Sequence, residues 1–293
     1  MAQHLRRLAN ARIQQQISQQ LQRTMSSTSS TGTTVAAAPW REAFASDMES
    51  MKSPTFTLSS LHQVSPSSFL PRARTVVYRG MWASLQPNNK NPAPLNPASY
   101  QTDLPTLTTD ARMEKVSEML STSKGSSKGS STGSSKGGPI EAVFWATESK
   151  TQWRLRGRIY MIGPDIELDH DHAASVRDAL TPHMRKVSAE KNTGESWSWI
   201  RELTAHFGNL SPFMRGTFRN PPPGTPMTEK PEGELSLGQK VEDLHDSVAR
   251  ENFRVLVIVP EEVDRLDLSD AERARRWNYT LEKEVWKETE LWP

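Results

Sequence analysis

The eight residues Thr108-Thr109-Asp110-Ala111-Arg112-Met113-Glu114-Lys115 bring two hydroxyls, two cations and a capping carboxylate together. Asp110 is placed to N-cap a helix over 110–120, in which Met113, Val116 and Leu120 share one apolar face. Arg112 and Lys115 then fall in the first turns, where the helix dipole disfavours positive charge. A bound anion reverses that penalty, because free N–H groups and two cations converge on it, and Thr108 or Thr109 adds a hydroxyl. The plainer alternative is a solvated helix start with Arg112 paired to Glu114 or Asp110.

A second group lies on Arg74-Thr75-Val76-Val77-Tyr78-Arg79-Gly80. Strand alternation puts Arg74, Val76, Tyr78 and Gly80 on one face and Thr75, Val77 and Arg79 on the other. Gly80 would let a backbone or a flat ligand approach closely; the bland reading is a strand with solvated Arg ends. On 151–162, Gln152, Arg154, Arg156, Arg158 and Tyr160 oppose Trp153, Leu155, Gly157, Ile159 and Met161. Three Arg on one face could meet phosphates or nucleic acid, or pair with acids across an oligomer interface. Asp169-His170-Asp171-His172 offers metal-ligand residue types, but adjacent and without a partner cluster, so acidic capping of a helix explains them better and no metal is expected. No GxSxG elbow accompanies the Ser, His and Asp residues, so a hydrolase triad has no support. GxGxxG after a strand and GxxxxGK are both missing, which removes dinucleotide and P-loop readings.

The elements that must position these groups are mostly strands. Enrichment in Val, Ile, Thr and aromatics predicts them at 55–62, 73–83, 105–109, 140–147, 151–162, 252–259 and 262–268. Glu148-Ser149-Lys150 reads as a hairpin connection between the fourth and fifth. Helices are expected at 40–51, 110–120, 171–187 and 195–207. Antiparallel strands with a few peripheral helices predict a mainly β, α+β barrel rather than a doubly wound sheet.

Composition narrows the function classes. Thirty-six Lys+Arg against thirty-four Asp+Glu leave +2, too near balance for a generic polyanion binder. Five Arg and no acid fall in residues 1–41, so the rest of the chain carries a small acidic excess. No apolar run reaches the roughly 18 residues that a membrane span needs. Zero cysteines exclude disulfides, thiolate metal sites, iron–sulfur clusters and cysteine nucleophiles. Leu5, Ala9, Ile13, Ile17 and Leu21 recur every four residues in an Arg-rich, acid-free segment over 1–24, followed by a Ser/Thr-rich stretch. This reads as a mitochondrial-type presequence, with a disordered Gln-rich tail as the alternative, so localisation is expected to be mitochondrial or cytoplasmic. Residues 1–38 are thus expected to stand apart from a domain over 39–293. The Pro/Asn-rich stretch 86–104, the Gly/Ser/Lys-rich stretch 121–139 and the Pro-rich stretch 219–240 are expected to be flexible inserts burying little apolar surface.

Taken in order, these segments resemble the pyridoxamine-phosphate-oxidase-like FMN-binding split barrels, in particular the stand-alone FMN-binding domain proteins of cyanobacteria and fungi. The resemblance is carried by Ala38-Pro39-Trp40-Arg41, by Arg74 to Gly80, by Thr108 to Lys115, by the hairpin from Phe144 to Gly163 and by Pro260 to Leu268. Leu210-Ser211 followed by Arg215, Phe218, Pro221 and Pro223-Gly224 adds a sixth stretch. It implies an antiparallel split β-barrel, FMN as cofactor, and a homodimer with FMN at its interface. It also implies an oxidoreductase acting on an unidentified small molecule, without nucleic acid or membrane as partner. Arg74, Thr75, Val76, Val77, Tyr78 and Arg79 would line the isoalloxazine, with Arg74 and backbone groups of Val76 and Val77 at the polar ring edges and Arg79 near flavin and substrate. Thr109 and Lys115 would hold the FMN phosphate, with Arg112 adding charge. Gln152 and Arg276 would reach FMN from the partner subunit. The chain departs from the pattern at Met113, where the family usually has Ser, and at Leu266, where the true oxidase has Trp. No Arg-Leu-His segment stands at 270–274, so vitamin B6 oxidation does not follow. No general acid or base is identified; Tyr78 and His206 are available residue types. The alternatives are a non-catalytic flavin or ligand carrier, and an RNA- or anion-binding barrel using the Arg154, Arg156 and Arg158 face.

Overall fold

The computed structural model of the protein describes residues 34–123, 137–187, 195–231 and 233–293. The stretch over 1–24 read as a presequence, and 124–136 of the Gly/Ser/Lys stretch, lie outside them. Described main chain is anchored from Val35, whose N–H donates to Pro182 O at 2.9 Å, and Val35 and Ala38 are buried, so the fold takes in a few residues before 39.

In chain order the elements are α1 (Arg41–Ser50), β1 (Thr55–Ser65), β2 (Ser68–Val77), β3 (Tyr100–Gln101), β4 (Thr106–Asp110), α2 (Glu114–Ser123), β5 (Gly138–Ala146) and β6 (Thr151–Ile162). They continue with α3 (Asp171–Leu180), β7 (Arg185–Lys186), α4 (Trp199–Gly208), α5 (Pro212–Gly216), α6 (Ser247–Asn252), β8 (Phe253–Asp267), β9 (Arg275–Glu282) and β10 (Val285–Leu291). The antiparallel order is β10-β9-β8-β6-β5-β1-β2, with β4 also on β8. Beyond β2 the Arg79 N–H donates to Thr106 O, and the Thr106 N–H to Gly80 O, both at 2.9 Å. These bonds carry the chain from β2 toward β4, so that the sheet curls round as a split barrel without closing, β2 having no strand partner but β1 among the described residues. Gly80, at φ +93°, turns the chain there.

The 15-residue β8 is one continuous strand rather than the two expected on either side of Pro260-Glu261. Its first part lies between β4 and β6, its last part between β6 and β9. The register shifts between Arg156 and Gly157, opposite Pro260, Glu261 and Glu262, which marks a bulge where the neighbour of β8 changes. A Cβ at Gly157 would overlap the carbonyl oxygen of Val259. Gly157→Ala is therefore expected to cost about 1–3 kcal/mol through overpacking, read as a lower urea midpoint with unchanged m-value.

Alternation along β8 divides the interior in two. Leu256, Ile258 and Val263 point into a core with Trp40, Phe44, Phe144 and Trp153 inside the barrel. Val255, Val257 and Val259 point into a second core with Trp82, Leu180, Leu203, Phe207 and Phe253 under the helices. A strand buried on both faces needs the unbroken apolar run Val255–Val259.

Several expectations are corrected. The strand placed at 73–83 begins at Ser68 and stops at Val77. Helix α2 starts at Glu114, and Asp110 ends β4 instead of capping it. Helix α3 stops at Leu180; a single 3-10 turn follows, with Pro182 in it. The cap of α3 is His170, whose Nδ1 accepts from the Ala173 N–H at 3.2 Å, and not a carboxylate. Arg154, Arg156 and Arg158 pair with Asp264, Glu262 and Glu261 on β8 of the same chain. That compensation leaves the Arg face poorly suited to a polyanion. The Pro/Asn-rich stretch 86–104 is fastened rather than loose. Asn88, Asn91 and Asn96 bond to Asn209, Ala205, Ser198 and Glu202, while Thr102 and Leu104 are fully buried. Amide side chains do there what apolar burial does elsewhere.

Candidate functional site

The end of β2 and the whole of β4 meet at a cleft of about 960 Å³. Its floor is Thr75, Val76, Val77 and Arg79 from β2 and its continuation, with Thr108, Thr109 and Asp110 from β4. Met113 and Lys115 close one end. Leu210, Met214, Thr217 and Phe218 form the opposite wall, and Asn220 to Pro223, Thr225 to Met227 and Leu237 cover it. The Pro-rich stretch expected to be a flexible insert is thus a wall of the cleft. Its attachment is ionic and steric: Arg219 pairs with Asp246 and Glu234, and a Cβ at Gly216 would overlap the carbonyl of Gln239. Sequence patterning identifies the 210–224 stretch only as part of a resemblance and assigns it no role.

Among the described residues, β2 pairs only with β1, so alternate main-chain N–H and C=O groups of Thr75 to Val77 have no strand partner on the cleft side. Lys115 Nζ donates to Thr109 Oγ1 at 3.0 Å and lies 2.7 Å from Met113 Sδ. Among the described residues no carboxylate pairs with Lys115 or with Arg79. Burial, and then the neighbouring Arg74 guanidinium, hold the Lys115 ammonium below its usual pKa despite Asp110 and Glu118. Burial lowers Arg79 likewise, and its Nε is buried without a hydrogen-bond partner. Two desolvated cations in one cleft, neither in a carboxylate ion pair among the described residues, favour an anionic ligand.

Of the twelve residues singled out from sequence, Thr75, Val76, Val77, Arg79, Thr108, Thr109 and Lys115 line this cleft. Arg74 does not. Its guanidinium bonds to Glu118 Oε2 and Ser60 Oγ, both at 2.6 Å, and the Glu118 side chain is only 1% exposed. Tyr78 faces the barrel core, edge-on to Phe44 and Phe144, and burial raises its phenol well above the usual range. Arg112 chelates Asp110, at 2.9 and 2.6 Å, and its Nη1 bonds to Asn220 O at 3.0 Å. This is the Arg112–Asp110 pairing of the plainer alternative, and it bolts the Pro-rich wall to the β4 loop instead of leaving a free cation. Gln152 and Arg276 lie away from the cleft, but together: Leu266 pairs with Gln152 on one side and Arg276 on the other, and Arg276 Nε bonds to Asp264 at 2.9 Å. His206 is buried against the Trp82 ring at 5.7 Å, and burial followed by the Arg79 charge pushes it down to about 3, so it is neutral and not a proton donor at physiological pH. His62, Glu114 and Glu118 offer ligand atoms within 4.8 Å of one another, but Arg74 and Ser60 already occupy one Glu118 oxygen.

Residues 37–163 match the family profile "Pyridoxamine 5'-phosphate oxidase, FMN-binding domain". A crystal structure of a pyridoxamine 5'-phosphate oxidase-related FMN-binding protein from Nostoc punctiforme superposes with a TM-score of 0.53 at 20% identity, covering 88% of this chain and all of that one. PhzG from Burkholderia lata gives a TM-score of 0.38 at 11% identity over 89% of this chain and all of that one. An uncharacterized protein of Saccharomyces cerevisiae is 26% identical over 100 residues, 32% of this chain and 34% of that protein. The aligned region spans about a third of that curated relative's length. Profile and fold agree: residues 37–163 match the FMN-binding domain of the pyridoxamine 5'-phosphate oxidase family, a domain whose cofactor is FMN, and the chain shares the fold of the Nostoc punctiforme protein.

Proposed function

We propose that FMN occupies the cleft between β2, β4 and the Pro-rich wall, and that the protein is an oxidoreductase acting on a small molecule. The observation that carries this reading is the pair Lys115 Nζ and Thr109 Oγ1, 3.0 Å apart at the cleft end, with no carboxylate on the ammonium. A phosphate oxygen between them would accept a charge-assisted and a neutral hydrogen bond together. The residues present fit the rest of the group. The unpaired edge of Thr75 to Val77 supplies donors and acceptors for the polar rim of a flat ring. The volume suits a mononucleotide with room beside it. When bound, FMN supplies hydride or single-electron transfer.

Each chain element then has a part. Lys115 and Thr109 anchor, the β2 edge orients, and the apolar wall of Leu210, Met214, Phe218 and Pro221 to Pro223 keeps water from the ring face. Arg74 acts at a distance. Glu118 compensates it, so its contribution to the flavin environment is smaller than an unpaired cation's. Gln152 and Arg276 are neighbours across β6, β8 and β9 and do not line their own chain's cleft, which supports a homodimer in which they reach the partner's site.

The test is the visible absorption spectrum of purified full-length protein, with the released cofactor identified by mass. About one FMN per chain is expected, or uptake of added FMN by a colourless preparation. A protein that neither carries nor takes up FMN would overturn the placement. Turnover of an electron donor under oxygen then separates an oxidoreductase from a carrier.

A further inference from the structure

Met113 stands where an anion should. Its Sδ lies 2.7 Å from Lys115 Nζ and 3.5 Å from Thr109 Oγ1, so the thioether takes donors that a phosphate oxygen would use. Those two groups also bond to one another, so ammonium, hydroxyl and sulfur form a closed triangle at the end of the cleft. A thioether is a weak, neutral acceptor and a poor match for a desolvated ammonium. Met113 is 36% exposed, and its unbranched side chain has three rotatable bonds through which the sulfur can move. Its main chain is fixed independently, with the N–H donating to Asp110 O at 3.2 Å and the C=O accepting from the Val116 N–H at 2.9 Å. The sulfur can therefore leave without disturbing β4 or α2.

We propose that Met113 is a displaceable plug in the anion subsite: its thioether keeps Lys115 and Thr109 partnered while the subsite is empty, and must swing out for a phosphate group to enter. Affinity for a phosphorylated ligand is then lowered by the contact that has to be broken, while affinity for the same ligand without its phosphate is untouched. The inference rests on the placement of the FMN phosphate at Lys115 and Thr109.

The experiment compares wild-type protein with Met113→Ala and Met113→Ser, titrating FMN and riboflavin by calorimetry and following the Met113 methyl resonance during titration with inorganic phosphate. FMN is expected to bind both variants about tenfold more tightly, the equivalent of one weak hydrogen bond no longer broken, with riboflavin unchanged. The wild-type methyl resonance should shift as phosphate saturates. Equal tightening of FMN and riboflavin would show that Met113 acts only through cleft shape and would overturn the plug, as would unchanged FMN affinity. If FMN binds neither protein, phosphate decides alone. A methyl shift with tighter phosphate binding in Met113→Ala upholds the plug and removes the flavin, whereas an unmoved methyl sinks both.

Discussion

Lys115→Met weakens FMN by ten- to a hundredfold and leaves riboflavin affinity where it was: that is the expected result if Lys115 holds the phosphate. A hydrogen bond to a charged group contributes about 1.5–3 kcal/mol, and each 1.4 kcal/mol is tenfold in affinity. The magnitude falls toward the upper end because the ammonium is already desolvated and has no carboxylate partner to lose. Methionine keeps the stem length, so the cleft shape is retained while the charge goes. Fluorescence titration of both flavins checks it. An equal loss for FMN and riboflavin would mean that Lys115 shapes the cleft, and no loss for either would place the phosphate elsewhere.

Glu118→Ala is expected to destabilise the fold by about 3 kcal/mol, the low end for a broken buried pair because Arg74 keeps a side-chain exposure of 22%. The carboxylate accepts from Ser60 and Arg74 and faces His62 at 3.5 Å, so one side chain of α2 ties β1 to β2, which supplies part of the cleft floor. Burial alone would raise its pKa, but the Ser60 and Arg74 hydrogen bonds outweigh it and hold the carboxyl below its ordinary value. A depressed carboxyl stabilises fully above its unfolded pKa of 4.5, and that contribution fades as pH falls through the lower folded value. Glu118→Gln should therefore flatten the acid limb of the stability curve. Urea unfolding at neutral pH and near pH 3 reads both effects; a variant that loses as much stability at pH 3 as at pH 7 would show that the charge is not what matters. Reduced FMN content in Glu118→Ala would follow from a loosened β2.

Local chemistry was legible where it depends on neighbours in sequence. Alternation along 151–162 marks β6 residue for residue, because one face packs on Phe144 and Leu256 and the other does not. The apolar run Val255–Val259 marks a strand, and the structure shows it buried on both faces. The expected strand 252–259 runs on past Pro260 to Asp267, because the neighbour of β8 changes at the bulge there. The hairpin of β9 and β10 went unread. Its turn is Lys283-Glu284, both at positive φ, with no Asn-Gly to announce it, and its outer strand is mostly exposed and charged.

The cations show where the boundary lies. The expectation that Thr109, Arg112 and Lys115 form an anion-binding group follows from residue types, and the expectation that Arg79 lies near the ligand follows from the resemblance. Which cations are free does not. Arg74 and Arg112 are as basic in sequence as Arg79 and Lys115, yet Glu118, forty-four residues beyond Arg74, neutralises the first, and the Asp110 carboxylate with the Phe218 and Asn220 carbonyls neutralises the second. Arg154, Arg156 and Arg158 find their acids more than a hundred residues away on β8. Charge and periodicity are properties of a segment and survive in the sequence. Compensation, and the Pro-rich segment that walls the cleft, depend on strand register and on contacts between distant segments, and those exist only once the chain is folded.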